Sequence, residues 1–240
     1  MTLIESSGNV AKVDDLEVTR MRHLLASRSD YVIGIDEVGL GALAGPMVVG
    51  GVLAPVGWSH ERVKDSKQYT NGKKLSAHGK RQSVLEEVIK PQVLYYCHIK
   101  MTSGNVDSLG IRDAWLRGVW LVATKCLSMC PGAVVVVDGE STGSVPTPNS
   151  IAVPKADTFV AAVSAASVLA KVERDRVMHM AHQIYPEYGF HNHVGYGTHE
   201  HMVALKEHGP CALHRRSYGP IKLAEATWRK TKQLPHETPG

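Results

Sequence analysis

Two apolar segments that end in acidic side chains restrict the possible folds of this chain more than any other feature. Residues 31–36 lead through aliphatic residues to Asp36, which Glu37 follows, and residues 133–138 place four valines before Asp138. Short runs rich in β-branched residues are typical of buried β-strands. If the two strands are parallel neighbours, their carboxyl ends lie at one edge of a sheet, where open α/β sheets bind their ligands.

The rest of the sequence predicts strands and helices that follow one another along the chain. Further strands are expected at residues 47–54, 93–101 and 151–154, and helices at residues 76–90, 107–129 and 158–183. Strands mixed with helices in this way indicate an α/β or α+β domain with one central sheet.

Composition excludes several classes of protein. With 240 residues, 43% of them hydrophobic and 21% charged, the chain has the make-up of a folded domain. The net charge of +4 is compatible with a polyanionic partner but does not demonstrate one. The four cysteines lack the spacing of a disulfide framework or zinc ribbon, and neither a membrane span nor a signal peptide is recognisable. We therefore expect a cytoplasmic protein without a membrane partner.

A third acid, Asp157, is predicted to begin the long helix at residues 158–183. Carboxylates gathered at one sheet edge repel one another and raise each other's pKa, unless hard divalent cations such as Mg²⁺ bind between their oxygens. Two such ions can activate water and stabilise the leaving oxygen of a phosphodiester. The residues alone leave two interpretations open: a metal site for phosphodiester hydrolysis, or acids with separate roles in turns and at a helix N-cap.

An ordered set of short motifs resembles the type 2 ribonuclease H (ribonuclease HII) family. The motifs lie at residues 31–46 (YVIGIDEVGLGALAGP), 65–67 (DSK), 137–139 (VDG), 155–157 (KAD), 164–176 (SAASVLAKVERDR), 185–190 (YPEYGF), 195–198 (GYGT) and 214–218 (HRRSY). Each motif alone is unspecific, whereas the ordered set covers most of the chain. The resemblance implies an α/β, RNase H-like fold with a central mixed five-stranded sheet flanked by helices and a small C-terminal helical extension.

The resemblance also implies a division of the chain. We expect a partly helical N-terminal segment at residues 1–30 and the catalytic domain at residues 31–184. An extension that contacts substrate is expected at residues 185–225, followed by a flexible basic tail at residues 226–240.

The activity implied by the resemblance is endonucleolytic cleavage of RNA in RNA–DNA hybrids, and nicking on the 5′ side of a ribonucleotide embedded in duplex DNA. The products would carry 5′-phosphate and 3′-hydroxyl ends. By motif position, the catalytic and metal-binding acids are Asp36, Glu37, Asp138 and Asp157. Together they would hold two Mg²⁺ or Mn²⁺ ions in the catalytic state.

Substrate contacts are implied at seven further positions. The turn Gly39-Leu40-Gly41 matches a GRG element whose backbone contacts the ribose 2′-hydroxyl, and Tyr196 matches a tyrosine that packs on the deoxyribose side of the RNA–DNA junction. Polar or basic positions near phosphates are matched by Lys67, Ser164 and Lys171.

The sequence departs from the family pattern at two places. Leu40 replaces the arginine of the glycine turn, and Val194 replaces a basic residue before Gly195. Since each change removes a cation that could contact the substrate, we expect weaker substrate binding or relaxed specificity for the junction.

Alternative functions differ in what they require of the chain. A module that binds RNA–DNA hybrids with little or no turnover would fit the loss of the arginine at position 40, although all four acids are present. The related ribonuclease HIII carries a longer N-terminal binding domain than the 30 residues before the first strand.

Zinc binding by the many histidines at residues 179–214 is disfavoured, because neither clustered cysteines nor an HExxH motif accompanies them. We expect a monomer, and no sliding-clamp docking motif is found in the sequence.

Overall fold

A five-stranded mixed sheet forms the centre of the protein. The computed structural model describes residues 29–64, 66–70, 76–141, 143 and 145–233. The strands are β1 (Tyr31–Val38), β2 (Met47–Pro55), β3 (Tyr95–Met101), β4 (Val134–Asp138) and β5 (Ser150–Val153). Their order is β3-β2-β1-β4-β5, in which β1 is antiparallel to β2 and parallel to β4. The predicted mixed sheet is therefore confirmed, and the two acid-ending strands are parallel neighbours in it.

Helices flank the sheet and build the C-terminal extension. The α-helices are α1 (Ala77–Val84), α2 (Lys90–Gln92), α3 (Ser103–Leu109), α4 (Ile111–Met129), α5 (Ala161–Ile184), α6 (Phe190–His193), α7 (His199–His208) and α8 (Gly219–Gln233). A π-helical segment, Leu85–Ile89, joins α1 to α2. Among the described residues, no helix combines the length and apolar character needed to cross a membrane.

The two faces of the sheet are covered by different helices. On one face α5 crosses β1 and β2 at close range, since a side-chain carbon at Gly34 would overlap the backbone of Ala162, and one at Gly50 the carbonyl of Ala166. Valines of the sheet such as Val32 and Val136 are buried in the core on this side. The opposite face packs against α4, with Ile33, Ile35 and Val137 in its core. Glycine is thus required where the long helix touches the sheet.

Two predicted boundaries differ from the structure. The single helix predicted for residues 107–129 is wrong: α3 begins after Thr102, whose side chain accepts a hydrogen bond from the N–H of Asn105, and it stops at Gly110. Gly110 has a φ of 80°, a conformation that favours glycine and separates α3 from α4. At the other end, α8 runs through the predicted boundary between residues 225 and 226 and continues to Gln233.

Some of the predictions concern residues outside the described ranges. These are the partly helical character of residues 1–28, the Asp65 of the DSK motif, and the last part of the predicted basic tail, residues 234–240.

Candidate active site

The alternation of side chains along β1 and β4 decides which acids meet. Ile35 pairs with Val137 in the parallel register, so the next residues, Asp36 and Asp138, lie side by side. Both continue the face of the sheet that packs against α5, because successive side chains of a strand point to opposite faces. Glu37 therefore projects to the opposite face, toward α4.

Asp157 reaches the same place from a different element. It lies in a 3₁₀ turn, Ala156–Thr158, which precedes α5. The prediction that Asp157 begins the long helix is therefore wrong, since α5 starts only at Ala161. The N–H of Ala156 donates a 3.1 Å hydrogen bond to Oδ1 of Asp138, which ties this turn to the end of β4.

Three carboxylates form one cluster as a result. One oxygen from each of Asp36, Asp138 and Asp157 lies within 4.8 Å of the others, and Asp36 and Asp157 are buried. Within the described part of the chain, this is the single group of at least three His, Cys, Asp or Glu side chains close enough to hold a metal ion. We call it the acid cluster.

Electrostatics in the acid cluster favour a bound cation. The pKa of Asp36 is raised well above its usual value, first by burial and then by the charge of Glu37, with smaller contributions from Asp138 and Asp157. A hydrogen bond from Ser167 opposes this rise. Oxygen-only ligands that repel one another in this way suit a hard divalent ion, whose charge offsets the repulsion.

Glu37 is held next to the cluster by a residue that the sequence did not identify. The indole N–H of Trp115 on α4 donates a 2.8 Å hydrogen bond to Oε2 of Glu37. The pKa of Glu37 is raised by burial, an effect that Trp115 and the charge of Lys67 oppose and that of Asp138 strengthens. Nothing in the sequence distinguishes Trp115 from the other residues of its helix, because its role depends on how α4 packs against the sheet.

A buried arginine holds the glycine turn that follows β1. Arg215 has no exposed surface. Its guanidinium donates to the carbonyls of Gly39 at 2.7 Å, Leu40 at 2.7 Å and Gly45 at 3.2 Å. Arg215 thus binds three carbonyls of a turn that contains several glycines.

A second buried arginine supports the turn from α5. Arg174 donates from Nε to the carbonyl of Pro46 at 3.0 Å and from Nη2 to that of Ala44 at 3.2 Å. Its guanidinium also lies 5.1 Å from the centroid of the half-exposed Tyr196 ring, a cation–π contact. A side-chain carbon at Gly39, whose φ is 101°, would overlap Arg174. We refer to Arg174 and Arg215 as the arginine clamp; both lie in motifs noted in the sequence, but only the structure shows their burial.

The remaining predicted substrate contacts lie at different depths. Leu40 and Gly41 are exposed at the tip of the turn, and Lys67 is exposed in the 3₁₀ turn Ser66–Gln68. Ser164 is buried, and its hydroxyl donates to the carbonyl of Asp157. Lys171 lies two turns further along α5.

Lys171 belongs to a network that leads back to the acid cluster. Its amine lies 2.6 Å from Oδ1 of the buried Asp175, whose other oxygen lies 3.4 Å from Nη2 of Arg81.

Arg81 in turn connects this network to Ser167. It donates to the Ser66 carbonyl, and the Ser66 hydroxyl hydrogen-bonds that of Ser167 at 2.9 Å. Ser167 thus connects Asp36 to the segment that carries Lys67, a connection that sequence reasoning missed.

Comparison with known proteins finds related sequences. The Ribonuclease HII family model matches residues 33–220. A Ribonuclease HII of Burkholderia lata is 38% identical over 199 residues, which are 82% of this chain and 88% of that protein.

Solved structures share the fold. The ribonuclease H2 of Pyrococcus horikoshii OT3 superposes with a TM-score of 0.64 at 26% identity, covering 83% of this chain and 99% of the other. Bst-RNase HIII in complex with Mn²⁺ superposes with a TM-score of 0.64 at 16% identity, covering 86% of this chain and 73% of that one. The family match and the sequence relative together decide the assignment: this chain belongs to the ribonuclease HII family and is a ribonuclease H, a hydrolase that acts as an endonuclease on RNA–DNA hybrids.

Proposed function

We propose that this protein nicks duplex DNA on the 5′ side of an embedded ribonucleotide, besides cleaving the RNA strand of hybrids, and leaves 5′-phosphate and 3′-hydroxyl ends. The observation that supports this most directly is the acid cluster, in which three carboxylate oxygens lie within 4.8 Å of one another. Such a cluster fits divalent ions that also bind a phosphate oxygen.

In this proposal Asp36, Asp138 and Asp157 hold two Mg²⁺ or Mn²⁺ ions together with Glu37. When bound, the ions supply an activated water and stabilise the charge that develops on the phosphate. The Mn²⁺ complex of Bst-RNase HIII supports a divalent ion of this kind. Trp115 keeps Glu37 on its side of the cluster by the indole hydrogen bond.

We propose that the glycine turn recognises the ribose. A side-chain carbon at Gly41 would meet no atom within 4 Å, so the backbone there is open to a ligand. The carbonyls of Gly39 and Leu40 are bound from below by Arg215. Because a 2′-hydroxyl distinguishes RNA from DNA, a rigid backbone open at this point is suited to select a ribonucleotide.

Further contacts are proposed along the nucleic-acid backbone. The half-exposed ring of Tyr196, supported by Arg174, would pack on the deoxyribose of the next nucleotide. Lys67 would contact a phosphate from its exposed turn, and Lys171 would do so from the edge of its network. Ser164 would act on the substrate through Asp157, whose carbonyl it binds.

A nicking assay tests the proposal. A labelled DNA duplex with one ribonucleotide is incubated with the protein in Mg²⁺, Mn²⁺ or EDTA, and an all-DNA duplex of the same sequence is the matched control. We expect a metal-dependent nick at one position, whose 3′ end a DNA polymerase extends because it is a free hydroxyl.

The alternative outcomes separate the competing functions. Cleavage confined to longer RNA tracts would show that the turn with Leu40 does not select single ribonucleotides. Binding of the duplex without cleavage in either metal would instead support a hybrid-binding module.

A further inference from the structure

The loop that carries Tyr196 has an unfavourable backbone conformation. Val194 has a φ of 44°, which is rare for a β-branched residue and persists only where the surroundings hold it. The carbonyl of the next residue, Gly195, accepts hydrogen bonds from the N–H groups of Leu43 at 2.8 Å and Ala44 at 3.2 Å. The loop and the glycine turn are therefore joined, and whatever fixes one also fixes the other.

Two buried histidines form a directed chain of hydrogen bonds that ends on this loop. The N–H of Cys211 donates to Nδ1 of His214 at 2.9 Å, so the ring proton of a neutral His214 lies on Nε2. That nitrogen is 3.0 Å from Nε2 of His201, which must accept. The proton of His201 consequently lies on Nδ1 and is donated to the carbonyl of Tyr196 at 2.9 Å.

A third histidine holds the other side of the loop. Nδ1 of His193 accepts from the N–H of Gly195 at 3.2 Å, and its Nε2 lies 2.8 Å from the carbonyl of Tyr188, to which it donates. The ring of His193 is stacked on that of His201 with centroids 4.5 Å apart. All six ring nitrogens of the three histidines have a defined partner, which leaves none for a metal ion.

The chain requires neutral rings, and its surroundings keep them neutral. The pKa of His201 is lowered to about 4, mainly by burial and to a smaller extent by the nearby His193, while the hydrogen bond to the Tyr196 carbonyl opposes this shift. Burial and His201 lower the pKa of His214 to about 3, with smaller contributions from Arg216 and His193. Near neutral pH each ring therefore carries one proton, in the tautomer that its partners select.

We propose that His193, His201 and His214 are positioning residues that fix the backbone of Gly195 and Tyr196, and through it the ring of Tyr196 and the glycine turn, for an RNA–DNA junction. The proposal rests on the role given to Tyr196 under the proposed function. It assigns to the histidine-rich region a task in specificity rather than in metal binding.

The tautomers can be tested without any substrate. In protein labelled with ¹⁵N-histidine, two-bond proton–nitrogen spectra at neutral pH should show His201 protonated on Nδ1, and His193 and His214 protonated on Nε2. A His201 protonated on Nε2 would reverse the direction of the chain and overturn the proposal, whatever the enzyme cleaves.

Two variants of His201 test the link to the substrate. In His201→Asn the side-chain amide takes the place of Nδ1 and can still donate to the carbonyl of Tyr196, whereas in His201→Gln the amide takes the place of Nε2 and reaches only His214. We expect His201→Gln to raise KM for a one-ribonucleotide duplex roughly fivefold to tenfold, the effect of one lost hydrogen bond. His201→Asn should restore most of that loss, and kcat should change little in both because the acid cluster is untouched.

A continuous RNA–DNA hybrid is the matched substrate control, since it presents no junction at most of its cleavage sites. There the KM values of the two variants should differ much less, because most cleavage sites lack the contact of Tyr196 with a deoxyribose. Equal KM values on the one-ribonucleotide duplex would overturn the proposal while leaving the proposed function intact. If instead the native protein does not nick that duplex, the proposed function fails, and the spectra still decide whether the chain of hydrogen bonds exists.

Discussion

The acid cluster and the arginine clamp are both buried groups of like charge near the end of β1, and they are stabilised in opposite ways. Arg174 and Arg215 donate to five backbone carbonyls, those of Gly39, Leu40, Ala44, Gly45 and Pro46. The three aspartates of the acid cluster lie within 4.8 Å of one another. Burial and the neighbouring charges raise the pKa of Asp36.

The difference separates charge that is paired within the fold from charge that a bound cation would offset. A guanidinium that donates to carbonyl oxygens finds its partners within the folded chain, apart from Nη1 of Arg174, which is buried without a hydrogen-bond partner among the described residues. A carboxylate whose close neighbours are carboxylates is destabilised by their charges, and a cation bound between them would offset that repulsion. Substitutions in the two groups should therefore have opposite effects on activity and on stability.

The largest effect should follow from Asp138→Asn. Loss of a metal ligand should lower the nicking rate at least about a thousandfold, because charge stabilisation by bound metal is worth several kcal/mol. The same change should leave the metal-free protein as stable as before or more stable, since it removes one charge that repels Asp36. Nicking rates and urea unfolding in EDTA measure the two effects.

The exposed acid on the adjacent turn, Glu140, provides the control. Glu140→Gln should change neither the nicking rate nor the stability in EDTA. Mg²⁺ should raise the urea midpoint of the native protein and of Glu140→Gln. It should raise that of Asp138→Asn much less. If Asp138→Asn destabilises the metal-free protein, the acid cluster is not a site of repulsion.

Arg215→Met should show the opposite pattern, with a large loss of stability. It removes a buried cation and leaves the carbonyls of Gly39, Leu40 and Gly45 without their donor, which should lower the free energy of unfolding by roughly 3–5 kcal/mol. Urea unfolding measures this loss. Arg216→Met is the control, because Arg216 is half exposed and pairs with Glu225 at the surface, where a salt bridge is worth about 1 kcal/mol or less. Similar losses in the two variants would contradict a structural clamp.

The buried histidines are a third case beside the acid cluster and the arginine clamp, because they are buried in the neutral form. The folded-state pKa of His214 is about 3 and lies below that of an unfolded histidine. The stability that it contributes is therefore complete above about pH 6.5 and is lost as the pH falls toward 3, since only the unfolded chain takes up the proton. His214→Gln lacks this titrating group, so its stability does not fall with pH for this reason. The amount by which the native protein is more stable than the variant should therefore shrink by about 2 kcal/mol from about pH 6.5 to pH 5. A pH-independent difference would show that His214 is protonated in the folded protein.

The smallest effect is expected at the exposed tip of the glycine turn. Leu40→Arg restores the cation of the family pattern and should tighten binding of a one-ribonucleotide duplex roughly threefold to tenfold. The slope of log binding constant against log salt concentration should also become steeper, by up to about 0.9 for one added phosphate contact. Leu40→Met, which adds no charge, should leave affinity and salt dependence as they are. An unchanged affinity in Leu40→Arg would mean that leucine at position 40 does not weaken substrate binding.

Much of the fold and part of the site could be predicted from the sequence, because local signals carry them. Runs of β-branched residues that end in Asp36 and Asp138 predicted two strands, and the structure pairs these strands in parallel. The helix predicted for residues 107–129 failed at Gly110, since a glycine within an apolar pattern does not reveal its φ. The prediction for Asp157 had the right position in the chain but the wrong element, since the 3₁₀ turn Ala156–Thr158 precedes the helix that begins at Ala161.

The sequence by itself determined the ribonuclease H character of the chain, since the four acids and the ordered motifs are local and can be recognised residue by residue. Strand alternation already places Asp36 and Glu37 on opposite faces of the sheet. Tertiary structure alone decided that Ser167 lies beside Asp36 and Trp115 beside Glu37. It also decided that Arg174 and Arg215 are buried supports rather than surface contacts. The residues that bury a charged group and bind it come from segments far apart in the chain. They meet only when the whole chain is packed, so local sequence does not reveal them.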